Sequence, residues 1–196
     1  MRKNIQMNKG LLIIYSGPSA VGKDTILHEL LKDEELNLAL SVSMTTRSPR
    51  SGEVDGKDYF FVSQERFKQA IDNNELLEYA CYVDNYYGTP LAYVEKNRNE
   101  GKNVILEIEM DGAQKVRNMV KDRVISIYIV PPSIEELERR LKGRNTDSPE
   151  IIEKRLLKAK EELKKVDTYD YVVTNDELPR AIEEIRSIIK KEKDRV

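Results

Sequence analysis

The sequence predicts an α/β fold, a parallel sheet core with helices on both faces. Three observations carry that reading. Short continuous apolar runs recur along the chain, "LLIIYS" (Leu11 to Ser16), "NVILEIE" (Asn103 to Glu109) and "VISIYIV" (Val124 to Val130), and segments of helical spacing follow them. A strand that is apolar at consecutive positions is buried on both faces, as a parallel strand between helix layers must be. The first run ends in a glycine-framed turn, "GPSAVGKDT" (Gly17 to Thr25), that leads directly into a helix. At 196 residues the chain can bury one core with small inserted lobes.

Each element has a local reason. After the turn, Ile26, Leu27, Leu30 and Leu31 fall at helical spacing. "LALSVS" (Leu38 to Ser43) reads as a second strand. The next stretch is broken by Pro49, Gly52 and Gly56, and only "YFFV" reads as extended before the aromatic-rich "LLEYACYVDNYYG". Pro90 opens a helix that Gly101 closes, and Gly112 to Val120 reads as another. Ser133 with Glu136 three residues later is a capping box, opening a helix that Gly143 ends. Pro149 starts a long charged helix to about Lys165, "YVVT" (Tyr171 to Thr174) is the last strand, and a final helix begins near Leu178. The core is thus expected over about 1–43, 93–132 and 165–196, with one lobe inserted at about 44–92 and a second, smaller one at about 133–164.

Composition narrows the function classes. Lys and Arg total 33 against 35 Asp and Glu, a net charge of −2, so there is no general basic field for nucleic acid and anion binding must be local. A single cysteine, Cys81, excludes an internal disulfide framework and suits a reducing compartment. With no apolar run of membrane-spanning length and no secretory leader pattern in "MRKNIQMNKG", the expectation is a cytoplasmic protein without a membrane partner. With His28 as the only histidine, no zinc site or Cys-His catalytic pair can be assembled.

Chemistry begins at the glycine turn. The frame G-x-x-x-x-G-K between a buried strand and a helix is a phosphate-binding loop, here Gly17, Pro18, Ser19, Ala20, Val21, Gly22 and Lys23. Its backbone N–H groups and the helix dipole hold phosphate oxygens, and Lys23 follows the negative charge through transfer. Asp24 then stands where Ser or Thr usually holds magnesium, with Thr25 one place later. That carboxylate has two options: to ligate Mg²⁺ directly, or to turn outward, where negative charge in a helix's first turn is favourable.

The run "SVSMTTRSPRSGEVDGKDYFFVS", followed by "LLEYA" and "NYYGTP", closely resembles the nucleoside-monophosphate lobe of guanylate kinases, within the P-loop nucleoside monophosphate kinases. The resemblance extends over nearly the whole chain in order and spacing, and it implies ATP and GMP as substrates with Mg²⁺. It assigns Ser43, Arg47, Arg50, Tyr59, Glu78, Tyr87 and Thr89 to the GMP site. Residue chemistry agrees: arginine guanidinium groups fork onto a phosphate, and tyrosine hydroxyls complete its shell. Guanine presents adjacent donors that suit the acceptor-only carboxylate of Glu78, while Thr89 and Ser43 hydroxyls serve O6.

The same resemblance extends further. "LERRLKGRNTDSPEIIEKRL" is similar to the family's lid and assigns Arg140, Arg144 and Arg155 to charge stabilisation during transfer, with Asn145 where the family has Gly. In "ILEIEMDG" the family pattern has acidic residues at Glu107 and Glu109, implying a water-mediated magnesium or GMP-side contact for the first and a nucleotide contact for the second. "YVVTND" resembles the adenine-side loop and puts Asn175 beside the ATP base. Two rival functions stay open: an inactive guanylate-kinase-like domain that binds phosphopeptides, and a P-loop kinase for another small phosphorylated substrate. The first typically loses the loop lysine and lid arginines, all present here; the second has no use for a guanine-edge acceptor such as Glu78. Oligomeric state is not legible.

Overall fold

The computed structural model describes residues 9–82, 84–143 and 147–195. In chain order its strands are β1 (Leu12–Ser16), β2 (Leu38–Leu40), β3 (Met44–Thr45), β4 (Phe60–Phe61), β5 (Leu76–Tyr82), β6 (Asn85–Pro90), β7 (Asn103–Glu107), β8 (Val124–Val130) and β9 (Tyr171–Thr174). Its helices are α1 (Lys23–Leu30), α2 (Gln64–Asp72), α3 (Leu91–Asn99), α4 (Met110–Met119), α5 (Ile134–Gly143), α6 (Pro149–Leu163) and α7 (Leu178–Asp194). The alternation is the α/β architecture that the apolar runs predict. The chain gathers into two compact units, one of the described residues to Leu12 with Ala39–Val124, the other of Ile13–Leu38 with the described residues from Ile125 on.

In the second unit β1, β8 and β9 lie side by side in that order, and β8 pairs with β9 in parallel, Ile127 opposite Tyr171 and Val130 opposite Thr174. Every residue of β1 is buried, as its unbroken apolar run requires. Each aliphatic side chain so buried contributes about 1.5–3 kcal/mol, which makes this strand a rigid anchor for the turn it feeds. Ile26, Leu27 and Leu30 bury the inner face of α1, whereas Leu31, expected on that stripe, is 38% exposed because the helix ends at Leu30. Ser133 caps α5 by accepting from the Glu136 N–H at 3.1 Å. The return half of the expected capping box is missing, since the Glu136 carboxylate is taken by Arg139 and Arg140.

The first unit carries a second sheet in the order β4-β3-β6-β5, built mainly on antiparallel pairing of β3 and β5 with β6. All four strands of this sheet fall between residues 44 and 90. Helix α2, which the sequence pattern does not predict, is capped by Ser63, accepting from the Arg66 N–H, and buries Phe67 and Ala70 against Met44 and Leu76. Strand β2 is shorter than "LALSVS" predicts, ending at Leu40; Ser41 still donates its N–H to the Ile105 carbonyl. Strand β7 ends at Glu107, and α4 starts at Met110, two residues before the expected Gly112. Arg98, 1% exposed, ties α3 to the start of the described chain by donating to the Gly10 carbonyl at 2.9 Å and pairing with Asp122.

Candidate active site

The glycine turn between β1 and α1 has the geometry of a phosphate loop. Gly17 approaches β8 so closely that a Cβ there would stand 2.6 Å from the Ile129 carbonyl oxygen. Gly22, at φ +97°, caps α1 in the left-handed region and has the Asn175 side-chain nitrogen 2.5 Å from where a Cβ would be. Ala20 also holds a positive φ of 66°, a conformation costly for a residue with a Cβ. Lys23 donates from Nζ to the Gly17 carbonyl at 2.9 Å, so its ammonium lies back over the loop. Asp24 and Thr25 are exposed in the first turn of α1, where the helix dipole favours the carboxylate. His28, on the same helix, is exposed.

Three side chains brace this loop: Asn175, expected beside the ATP base, and Arg140 and Arg155, expected to stabilise charge during transfer. Asn175, which follows β9, donates from Nδ2 to the Val21 carbonyl at 2.8 Å and is buried. Arg140 on α5 donates to the same carbonyl at 3.2 Å, to the Asn175 carbonyl at 3.0 Å, and to Glu136 at 2.8 Å. Arg155 on α6 donates to the Ser19 hydroxyl at 2.7 Å and pairs with Asp147 at 3.4 Å. Arg144 and Asn145 lie outside the described residues.

The residues expected to hold GMP gather in the first unit. Arg47 is locked by a two-pronged pair with Glu53 at 2.8 and 3.0 Å, and its guanidinium lies 5.3 Å from the Tyr59 ring centre. That pairing raises the guanidinium's pKa and holds the Glu53 carboxyl down at about 2. Glu53 also accepts the Arg50 N–H at 2.6 Å, folding the Pro49 turn around itself, while the Arg50 side chain is exposed. Tyr59 meets Tyr87 edge to face at 6.1 Å, and burial pushes the Tyr59 hydroxyl's pKa up, keeping it a neutral donor.

Glu78, on β5, is buried, and its Oε1 accepts the Thr89 hydroxyl of β6 at 2.7 Å. Burial raises its pKa first; the Thr89 bond and Lys115 pull it back, and Glu109 raises it again. A cleft of about 130 Å³ opens beside Thr89, lined also by Ser41, Ser43, Asp58, Tyr59 and Glu107. Glu107 ends β7 and Glu109 is the cap residue of α4, so both predicted acids stand at the carboxyl end of a core strand. That is where open α/β sheets bind ligands.

The guanylate kinase family model matches residues 9–192. The chain belongs to the guanylate kinase family. It is 51% identical to the guanylate kinase of Streptococcus thermophilus over 96% of this chain and 90% of that one. It is 56% identical to the guanylate kinase of Mesoplasma florum over 95% of its own length, and spans 62% of that longer relative. The crystal structure of guanylate kinase from Anaplasma phagocytophilum superposes with a TM-score of 0.73 at 36% identity, covering 94% of this chain and 87% of that chain. The mixed α/β fold, a parallel sheet flanked by helices, is therefore that of guanylate kinases.

Within this guanylate kinase fold, three residues that sequence reasoning missed pack against side chains expected at the GMP site. Glu53 orients Arg47, Gly112 leaves room behind Glu78, and Lys115 on α4 adds positive charge near Glu78 while donating to the Tyr79 carbonyl at 2.9 Å. Only Glu53 had a signal, since it lies inside the motif run that carries the resemblance. Nothing in the spacing of Gly112 or Lys115 points at Glu78. Among the described residues no helix is long and apolar enough to cross a membrane.

Proposed function

We propose that GMP is read by Glu78, Thr89 and Ser43, that its phosphate is held by Arg47, Arg50, Tyr59 and Tyr87, and that ATP lies on the loop from Gly17 to Thr25. The activity follows from the family: the chain is an ATP:GMP phosphotransferase, transferring the γ-phosphoryl group of ATP to GMP to give ADP and GDP. The observation that carries the site reading is the buried Glu78 carboxylate with its Thr89 partner, 2.7 Å away. One Glu78 oxygen is engaged by Thr89, and an ionised carboxylate has further lone pairs for the adjacent N1–H and 2-amino donors of guanine. Adenine would oppose this acceptor with a lone pair.

The transfer asks the protein for position and charge rather than for a base. Lys23 exchanges its contact with the Gly17 carbonyl for phosphate oxygens. Arg155, together with Arg144, supplies positive charge to the equatorial oxygens as the bond to the leaving ADP weakens. Arg140 and Asn175 act on the reaction by fixing the Val21 carbonyl, and so the loop. Asn175 in addition borders the ATP base. Glu107 and Glu109 contribute acidic oxygens on the GMP side.

The family's reaction also implies Mg²⁺. The donor set fits it: Asp24 and Thr25 offer hard oxygen donors, both exposed in the first turn of α1. Magnesium keeps several waters and takes only one or two protein oxygens beside substrate phosphates. Asp24 and Thr25 would be the residues to hold it, directly or through water, and the ion would neutralise charge on the ATP phosphates. The cytoplasm is the compartment in which we expect the reaction to run.

The testing experiment is a coupled assay of ADP formation with GMP, AMP, UMP and CMP. A site built on hydrogen bonds rejects the mismatched base by ~10⁴ or more in kcat/KM. Comparable turnover of AMP and GMP would overturn the assignment of Glu78.

A further inference from the structure

Ser41 follows β2, and its N–H donates to the Ile105 carbonyl at 2.9 Å, extending the pairing with β7 beyond the strand's end. In extended chain, residues two apart face the same side, and Ser41 and Ser43 both line the 130 Å³ cleft. The resemblance assigns only Ser43. Yet the Ser41 Oγ is buried and has no hydrogen-bond partner among the described residues. A buried hydroxyl left unmade weakens a fold, and alanine would fill a purely structural role better. Ser41 is nonetheless one of the residues that line the cleft.

The walls of that cleft indicate which part of a ligand would meet it. Its charged lining residues are the carboxylates Asp58 and Glu107, with no arginine or lysine among them. A phosphate would be repelled there; a neutral nucleoside bearing donors and acceptors would not. A serine hydroxyl both donates and accepts, so it can serve a base edge or a ribose hydroxyl.

We infer that Ser41 is a further nucleotide-binding residue, whose hydroxyl is satisfied by the nucleoside part of GMP when the cleft is filled. This rests on reading the cleft as the GMP site. The test is titration calorimetry of GMP with Ser41→Ala, together with thermal unfolding of the ligand-free protein. The dissociation constant for GMP should rise about five- to tenfold, the worth of one neutral hydrogen bond. The unfolding temperature should be unchanged or higher, because the variant removes an unsatisfied group. The KM for ATP should stay within twofold, and guanosine, measured by competition, should lose the same factor as GMP.

GMP affinity within twofold of the parent would mean that the hydroxyl meets only water, and would overturn the inference. So would a fall of several degrees in unfolding temperature, which would make Ser41 structural, or a loss confined to GMP and not shared by guanosine. Glu78→Gln run alongside separates the two levels. If it weakens GMP while Ser41→Ala does not, only the Ser41 role fails; if neither changes GMP binding, the reading of the cleft fails with it.

Discussion

Gly112 stands directly behind Glu78: a Cβ at this glycine would lie 2.9 Å from the carboxylate oxygen Oε2. The helix α4 thus meets the carboxylate proposed to read guanine at a point where any side chain would push it. Gly112→Ala should displace Glu78 and raise the KM for GMP by about tenfold, in line with overpacking costs of 1–3 kcal/mol. Its KM for ATP should be unchanged. Steady-state kinetics with each substrate varied in turn checks this, and an unaltered KM for GMP would show that Glu78 can shift without loss.

The charge state of Glu78 predicts a pH dependence. Burial, the largest influence, raises its pKa above the ordinary carboxylate value. Guanine needs the ionised form, so GMP affinity should be full at neutral pH and fall as pH drops through that raised value. The loss should begin at a higher pH than an exposed carboxylate would give. For stability the sign is opposite, since a raised pKa favours the protonated fold: this contribution is present at low pH and lost as pH rises through the raised value. Glu53, held at about 2 first by the Arg47 hydrogen bonds, stays ionised through this range and cannot be the cause. The measurement is Kd for GMP against pH, and the curve should flatten in Glu78→Gln.

If Arg47 holds the GMP phosphate as proposed, its clamp makes Glu53 a positioning residue. Glu53→Gln removes the charge of the pair at 2.8 Å and frees the guanidinium to swing. We expect the KM for GMP to rise by about three- to thirtyfold, with kcat changed much less, because the interaction serves bound GMP throughout the reaction. A fall in kcat alone would place Arg47 among the groups that act only during transfer.

The phosphate loop separates two neighbouring charges. Lys23→Met should cost ~10²-fold or more in kcat, within the range for removing a preorganised charge stabiliser. Asp24→Ser should keep activity within about tenfold, because waters and phosphates complete a magnesium shell readily. Measuring kcat across a magnesium titration distinguishes the two. Rescue of an inactive parent by Asp24→Ser would mean that the native loop is broken.

Ala20 carries the left-handed backbone in the same loop, with φ 66°. Relief of the Cβ clash, about 1–2 kcal/mol, outweighs the extra unfolded-state entropy of glycine, about 0.5–1 kcal/mol. Ala20→Gly should therefore stabilise the protein by about 0.5–1 kcal/mol, read by urea unfolding. A destabilised variant would show that the loop holds Ala20 without strain.

What the sequence determined by itself was everything encoded in short range. Consecutive apolar residues in β1 and β8, the Pro90 and Gly101 bounds of α3, and the motif order that names the family are all local patterns, and periodicity and steric preference act over a few residues. The helix α2 was missed because its apolar positions are few and the flanking turn residues drew the whole stretch toward loop; its place is decided by Phe67 packing against Met44 of β3 and Leu76 of β5. The resemblance gave Arg47 and Glu78 their parts, but only tertiary structure decided how they are held. Glu53 folds back on Arg47 across a turn, and Thr89 reaches Glu78 through the pairing of β5 with β6. Gly112 matters only because α4 brings it within 2.9 Å of Glu78, and Arg140 and Asn175 brace the loop from residues more than a hundred positions away. Burial and electrostatic interaction depend on distance in space, and only a folded chain defines those distances.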